Sequence, residues 1–500
     1  MKRDPSEAAG RLYAVYLPVM IMATLAGLVV RLLAARGELW LDEVWSLKLA
    51  IEADRILDIL TLVNVDNNHV LNTIWLYVLG ESQHELLYRL PAIISGSAMA
   101  IVAALYARRW GMLSAVVVLI VMNFSHPLIH YTSEARGYAP ALFCSFAALS
   151  VLDRFLVRYD FTSAALFAVI CILGMVSHLL FLQVYAALLF WSLYRAAHTD
   201  RPWSSLFTVL CRAHLLPIIA IAYLYVFHLR HIWIAGGPSR DLVDVVLSAA
   251  ALFCGLPPTG SIGVFALALL VGVLIAGLSM LRRRDPGLSL FFLNLIIVIP
   301  AIMLALARPA ALFERYFLFN GAFLLFLGAI QIADLLQRRG VVRWIALTVL
   351  LGFLATNGIR TVALIRLERG HYRDLLRYLD THSPAGVIAV SGDQNFRHRM
   401  MFDHYARSPV TERAIEYVGF YTLPREGVRW FIQHSREPKA VADAQCRDRF
   451  GNRYDLVAEY RSDVLSGYHL FLYHARRPES GMMRSELLPV PIPIDEDRNQ

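Results

Sequence analysis

Uncharged apolar runs, most of them long enough to cross a bilayer, recur along the first three quarters of the 500-residue chain. An α-helix rises about 1.5 Å per residue, so about 20 apolar residues cross the ~30 Å hydrocarbon core. Hydrophobic residues make up 57% of the sequence, charged residues 17%, and the mean hydropathy is +0.52. This composition is too apolar for a soluble chain of that length. The sequence therefore predicts an all-α polytopic membrane protein with about eleven transmembrane helices, over residues 12–35, 90–107, 111–129, 137–156, 161–176, 179–196, 213–230, 261–281, 287–307, 316–335 and 341–362.

Basic residues cluster at alternate junctions between the predicted spans. The groups lie before the first span and near residues 108–109, 154–158, 195–212, 282–284 and 338–343. Short cytoplasmic loops carry the excess of Lys and Arg, so the N-terminus is predicted in the cytoplasm and the C-terminal part outside. The sequence thus predicts a multi-pass protein of the cell (inner) membrane. This sidedness largely explains the net charge of +8, so no nucleic-acid partner is inferred.

The first external loop, at residues 36–89, is too long for a simple connector. Its apolar piece at 70–79 is too short to span, which predicts helices lying at the membrane surface. We assign residues 1–365, including this loop, to one transmembrane domain. A later external loop, 231–260, contains Gly236-Gly237-Pro238 and an apolar helix at 243–252. This helix is predicted to be either a lid over a pocket or a passive interfacial helix.

The composition becomes charged and mixed from about residue 366. The periodicity predicts a small extracytoplasmic α/β domain over 366–487. Its predicted elements are helices at 372–381 and 399–405 and strands at 387–391, 428–433 and 468–473. The proline-rich and then acidic end, 488–500, is predicted to be extended or disordered.

A pair of acids, Asp42 and Glu43, stands just past the first predicted span. Carboxylates are costly in hydrocarbon, so a pair placed where a span ends is a functional-site hypothesis. The alternatives are a solvated loop pair or a helix N-terminal cap. Further polar segments fall on the same predicted external face: Asp66-Asn67-Asn68-His69, His130-Tyr131-Thr132-Ser133-Glu134-Ala135-Arg136-Gly137-Tyr138, His178 and Glu314-Arg315-Tyr316.

Together these segments resemble the GT-C glycosyltransferases, in particular the branch of protein O-mannosyltransferases and lipid A aminoarabinose transferases. The resemblance covers about residues 12–335 and rests on the order, spacing and common sidedness of the motifs. The motifs are the Asp-Glu pair, an Asn/His segment before a surface helix, Arg89-Leu90-Pro91, the Glu-Ala-Arg stretch from Glu134, and Glu314-Arg315-Tyr316. One departure is Asn68-His69-Val70, where family members often have His-Pro-Pro.

The resemblance implies a polyprenyl-phosphate sugar donor, a lipid, glycan or protein acceptor that approaches from the external side, and inversion at the anomeric carbon. It places Asp42 at the position of the family's catalytic acid. A polyprenyl phosphate leaves as a stable anion and needs no acid, so one carboxylate suffices, unlike the two of a glycosidase. Asp42 would be the general base, with Glu43 beside it.

The leaving phosphate needs preorganised cations, and the planar guanidinium groups of Arg136 and Arg315 suit it. The remaining candidates for the substrate pocket are Glu134, His69, His178, Tyr316, Tyr138 and Asn68. Each has a structural alternative. Glu134 and Arg136 could pair with each other, and Arg315 could snorkel to the interface. The tyrosines could form an aromatic belt, and the histidines could be hydrogen-bonded structural groups.

Some relatives of this fold use a divalent cation, and Asp42, Glu134 and His178 are chemically able ligands. Nothing in the spacing fixes a ligand set, so no metal site is assigned. A rival function is a transporter or flippase of lipid-linked sugars, which predicts polar groups and broken helices at the midplane of the spans. A third is a non-catalytic scaffold or sensor. The acids cluster at external span ends, which favours the enzyme.

Overall fold

The computed structural model describes residues 5–82, 84–233, 240–258, 260–307, 311–406, 413–463 and 465–476. Its internal contacts divide the chain into two compact units. The first unit comprises Met1–Ala35 and Leu49–Val362, and the second comprises Arg36–Lys48 and Ala363–Gln500. The loop segment that carries the Asp-Glu pair therefore groups with the C-terminal part of the chain.

Helices follow one another from the N-terminal region to residue 367. They are α1 (Pro5–Ala34), α2 (Leu41–Ile51), α3 (Ile56–Thr61), α4 (Val70–Leu79), α5 (Glu85–Ala107), α6 (Met112–Phe124), α7 (His126–Tyr131), α8 (Tyr138–Arg158), α9 (Phe161–Ser177), α10 (Phe181–Ala197), α11 (Pro202–Thr208), α12 (Leu215–Phe227), α13 (Leu242–Phe253), α14 (Gly260–Arg284), α15 (Pro286–Leu293), α16 (Ile299–Ala307), α17 (Leu318–Gln337) and α18 (Val341–Leu367). Two π-helical turns, Val209–His214 and Asn294–Val298, join α11 to α12 and α15 to α16.

Each of the eleven predicted spans coincides with helical structure, and the prediction of a helical membrane protein is confirmed. Within the described residues, eight helical segments are long and apolar enough to cross a membrane. The predicted spans at 111–129, 161–176 and 179–196 correspond to helices of 13, 17 and 17 residues. The count of eleven stays a prediction. The first loop contains α2, α3 and α4, in agreement with the prediction of helices in residues 36–89.

Close packing of α5, α6, α8 and α17 forms the centre of the first unit. Phe146 of α8 stacks on Phe323 of α17 with ring centroids 4.3 Å apart. The fully buried Arg31 of α1 is satisfied by neutral acceptors: its Nε donates to Thr132 Oγ1 at 2.9 Å and its Nη1 to Asn123 Oδ1 at 2.9 Å. These bonds fix α1 against α6 and the segment after α7, where candidate site residues begin.

The second unit contains α19 (Tyr372–His382), α20 (Asn395–Tyr405) and a six-stranded sheet. The strands are β1 (Ile388–Gly392), β2 (Ile415–Tyr417), β3 (Trp430–Ser435), β4 (Gln445–Arg447), β5 (Arg453–Tyr460) and β6 (His469–Ala475), in the spatial order β2-β1-β3-β6-β5-β4. β1 pairs in parallel with β2 and β3, and the remaining pairs are antiparallel. Phe431, Tyr454, Phe471 and Tyr473 pack into a core on the sheet.

The predicted C-terminal α/β fold is confirmed, with both predicted helices and all three predicted strands present. The sequence did not predict β2, β4 and β5. Two of these have three residues each, and β5 has a register shift between Leu456 and Ala458 that interrupts its alternation. The apolar helix predicted at 243–252 is α13. The predictions for Gly236-Gly237-Pro238 and for residues 488–500 lie outside the described residues. The domain boundaries remain predictions.

Candidate active site

The loop before α4 is attached to the end of the helical run that contains α12. Val65 forms a bridge with Trp233, whose backbone N–H donates to Asn64 O at 2.8 Å. The Asp66 N–H donates to Trp233 O at 3.0 Å, and His228 Nδ1 lies 2.7 Å from Asn64 Oδ1. Two segments far apart in sequence thereby hold residues 64–66 in one conformation.

Asn68 uses its side chain to build the same loop. Its Nδ2 donates to Ile59 O at 2.9 Å and to Val63 O at 2.8 Å, and its Oδ1 accepts from Thr73 Oγ1 at 2.9 Å. These bonds bring His69 to the N-terminal end of α4 as its N-cap residue. Asn68 was predicted to line the pocket, which stays a prediction, and its described contacts position the neighbouring histidine.

Gly137 brings the segment before α8 against the end of α9. A Cβ added at this glycine would lie 1.8 Å from Ser177 O and 2.9 Å from His69 Cβ. The approach is held from α4 as well, because Asn72 Nδ2 donates to Ala135 O at 2.8 Å. Only a residue without a side chain allows this contact. It places Tyr138 beside the turn that follows α9.

Two histidines from separate segments stack where these elements meet. The rings of His69 and His178 are 4.5 Å apart with 24° between their planes, and the Tyr138 ring lies 4.2 Å from His178. The Leu180 N–H donates to His178 Nδ1 at 3.1 Å, so the neutral ring carries its proton on Nε2. Nε2 of each histidine is buried without a hydrogen-bond partner among the residues that the structure describes.

The histidines of this cluster are neutral and its positive charge comes from arginines. Burial holds the pKa of His69 and of His178 well below the ordinary value, and the charges of Arg136 and Arg315 lower both further. The buried Arg136 donates from Nη2 to Asn67 Oδ1 at 3.0 Å, and its guanidinium carbon lies 5.0 Å from the Tyr138 ring centroid. The cluster is therefore electropositive.

The 3₁₀ turn Glu314–Phe317 carries the second arginine at the start of α17. The guanidinium carbon of Arg315 lies 4.5 Å from the Phe313 ring centroid. Glu314 Oε1 accepts from Arg240 Nη1 at 2.7 Å, and α13 packs against this turn. Tyr316 follows Arg315 in the turn and is half-buried. The helix α13 thus has a fixed contact with the turn that carries Arg315.

Glu134 is fully buried, and its Oε1 lies 3.0 Å from Nε2 of the equally buried His130. The two residues are four apart in sequence. His130 was not among the predicted site residues, although its position in the external segment could have indicated it. Its contact with Glu134 gives this carboxylate a role in holding the segment that leads to Arg136.

The Asp-Glu pair lies in the second unit, in the first turn of α2. Glu43 is fully buried, and its Oε2 accepts from the Trp40 N–H at 3.2 Å. This is the contact of a capping box, in which the third helical residue binds the backbone of the N-cap. Asp42 is half-buried one position earlier. The geometry favours a supporting role for Glu43.

The first unit thus brings together His69, His178, Tyr138 and Arg136, with Arg315 close enough to act electrostatically on both histidines. Asn67 is the further member that the sequence did not single out. Asn67 and Asn68 are adjacent and of the same residue type, so the sequence does not distinguish them.

No protein-family model matches this sequence, and no curated protein matches it. Two solved structures of ArnT from Cupriavidus metallidurans are similar to this chain. The apo structure has a TM-score of 0.46 and 12% identity and covers 93% of this chain and 98% of its own. The structure bound to undecaprenyl phosphate has a TM-score of 0.43 and 15% identity and covers 94% of this chain and 98% of its own.

Proposed function

We propose that the protein is an inverting membrane glycosyltransferase. It would move a sugar from a polyprenyl-phosphate donor to a hydroxyl or amine of an acceptor on the external face of the membrane. Asp42 would be the general base, and Arg136 and Arg315 would bind the donor phosphate. The proposal joins the sequence resemblance of the external motifs to the geometry of the cluster in the first unit.

The observation that carries the proposal is the buried, electropositive meeting of four segments distant in sequence. His178 presents an Nε2–H donor without a partner among the described residues, beside the charges of Arg136 and Arg315. A buried donor of this kind costs free energy unless a ligand or water satisfies it. A phosphate group offers acceptor oxygens and negative charge together, which suits this set of groups.

The chemistry of the leaving group explains the division of labour. The C1–O bond to the phosphate breaks with its electron pair on oxygen, so the arginines stabilise the charge that develops there. The acceptor attacks the opposite face of C1, which inverts the anomeric centre. Asp42 takes the acceptor proton, an effect worth about 10²- to 10⁴-fold.

The test is an in vitro transfer assay with purified protein and a panel of synthetic polyprenyl-phosphate sugars, with cell-envelope extract as the acceptor. Asp42→Asn is expected to lower turnover by about 10²- to 10⁴-fold while keeping donor binding. Asp54→Asn is the matched control, because Asp54 is exposed and its described contact uses its backbone carbonyl. Wild-type turnover in a folded Asp42→Asn protein would refute the assignment.

A flippase of lipid-linked sugars is the second candidate. A flippase requires broken helices and polar groups within its spans. The π-helical turns in the runs that contain α12 and α16 interrupt two helices, and Asn320 Nδ2 donates to Gln183 Oε1 between α17 and α10. The same donors reconstituted in vesicles distinguish the two functions. A flippase moves the labelled donor to the opposite leaflet without forming a product, whereas the transferase forms a product only with an acceptor.

A further inference from the structure

We propose that the second unit contains a binding site for a divalent transition metal of the zinc class, formed by Asp393, His398 and His434. One ligand atom from each of these side chains lies within 4.8 Å of the other two. Among the residues that the structure describes, this is the one set of three or more His, Cys, Asp or Glu side chains with that spacing. Two imidazoles and a carboxylate are ligands that zinc prefers.

The fold brings the three residues to one edge of the sheet. Asp393 directly follows β1, His434 is near the end of β3, and His398 is in α20, which follows β1. The two strands are parallel and paired, with Gly392 opposite Ile432, so their carboxyl ends meet at the same edge. Ligand sites of open α/β sheets lie outside this edge.

The distances fit ligands around one small ion. Asp393 Oδ1 lies 3.1 Å from His398 Nε2 and 2.8 Å from His434 Nδ1. Two ligands on a tetrahedral zinc with bonds of about 2.0–2.1 Å are separated by roughly 3.3 Å, so small rotations of these side chains would admit the ion. Without an ion, the same atoms form a hydrogen-bonded triad. A zinc titration distinguishes a metal site from such a triad.

The surroundings hold the deeper histidine in one orientation. His398 is fully buried, and its second ring nitrogen, Nδ1, lies 3.1 Å from the Tyr372 hydroxyl. A metal on Nε2 leaves the proton on Nδ1, where it would donate to the tyrosine oxygen. This partner fixes the tautomer and the direction of the ring. A Cβ at Gly392 would lie 2.7 Å from the His398 ring, so the glycine leaves space for the imidazole.

The other two ligands face solvent. The side chains of Asp393 and His434 are 30% and 16% exposed, whereas that of His398 is 0% exposed. An ion could therefore enter from this side, and a water molecule would take the fourth position, as in zinc sites with three protein ligands.

The test uses full-length protein in detergent, purified without a histidine tag and stripped with a chelator. Zinc is titrated against a chromophoric competitor, and cobalt is followed by its d–d absorption. We expect one zinc site per chain. Asp393→Asn and His434→Ala should each weaken zinc affinity by at least about 100-fold, because loss of a hydrogen-bond partner behind a ligand alone lowers metal affinity by about 10- to 100-fold. Tyr372→Phe should weaken binding by about 10- to 100-fold.

His434→Cys supplies a rescue, because a thiolate is also a zinc ligand. It should restore binding and add a sulfur-to-cobalt charge-transfer band. His382→Ala is the control, since His382 is exposed in α19, its described contacts are with Tyr378 and Thr381, and it is not one of the three grouped ligands. The proposal is overturned if the wild-type chain binds no zinc, or if binding is unchanged in both ligand variants. The proposal is also overturned if the double variant His69→Ala/His178→Ala loses the zinc signal, because zinc would then bind at the histidine cluster of the first unit.

Discussion

Gly137→Ala tests the contact that assembles the histidine cluster. The added Cβ would lie 1.8 Å from Ser177 O, a distance that no real Cβ contact shows. The φ of Gly137 is −76°, so alanine fits the backbone conformation itself. The effect therefore comes from crowding against Ser177 O and against His69 Cβ, which would lie 2.9 Å from the added Cβ. The segment before α8 or the end of α9 must therefore move.

The size of the movement sets the expected loss. The two backbones must separate by more than about an ångström to restore ordinary contact, which is enough to cost about 100-fold in turnover if the cluster binds the donor. The crowding should also cost about 1–3 kcal/mol of stability. Tyr138, which directly follows the glycine, would move away from His178 and open their 4.2 Å ring contact.

The assay measures donor turnover and thermal unfolding of the full-length protein in detergent. Gly272→Ala is the matched control, because it lies inside α14 with nothing within 4 Å of the added Cβ. It should keep full turnover and gain about 0.4–1 kcal/mol. If Gly137→Ala keeps both the turnover and the unfolding temperature of the wild type, the assembly described for this cluster is wrong.

Two further changes test charge, in steady-state transfer kinetics and in thermal unfolding at pH 5 and pH 8. Arg136→Gln should weaken donor binding by about 10- to 150-fold, since a charged hydrogen bond is worth about 1.5–3 kcal/mol, and Arg136→Lys should recover only part of it; an unchanged KM would contradict this. Burial raises the pKa of Glu38 from 4.5 to about 7, although its carboxylate accepts from the Tyr372 and Arg373 N–H groups. The folded state therefore binds this proton more tightly, so stability present at low pH is lost as the pH rises through 7, by up to about 3 kcal/mol. Glu38→Gln should remove that part of the slope, and a slope equal to the wild type would count against it.

Apolar length predicted the helices well, because backbone groups in hydrocarbon must be satisfied within the segment. The exact ends were less predictable. α5 begins at Glu85, five residues before the predicted start of that span at 90, because its first turns carry polar residues such as Arg89 that are buried by tertiary contacts. Short strands such as β2 and β4 depend on their neighbours in the sheet, and three residues carry too little alternation to detect.

The sequence predicted which residues are candidates for the site, but it did not predict which hydrogen bonds they form. The sequence indicated His69, His178 and Arg136 because they lie on the predicted external face, and the structure places them in one cluster. The choice between Asn67 and Asn68 depends on which side chain the loop uses for its own hydrogen bonds. That is set by Ile59 and Val63, whose carbonyl groups no sequence pattern marks.

The Asp42–Glu43 pair provides the last test, because its two members have different structural roles. Glu43 binds the Trp40 N–H at the start of α2, and the amide oxygen of a glutamine can accept the same bond. Glu43→Gln should therefore keep the helix start and hold activity within about tenfold of the wild type, whereas Glu43→Ala should cost about 0.5–2 kcal/mol, as a lost cap does. Asp42→Asn changes the proposed base itself and should lower turnover by about 10²- to 10⁴-fold with unfolding unchanged. Transfer rates and unfolding temperatures measured in parallel decide the matter: equal losses of turnover in Asp42→Asn and Glu43→Gln would mean that the two carboxylates share the chemistry.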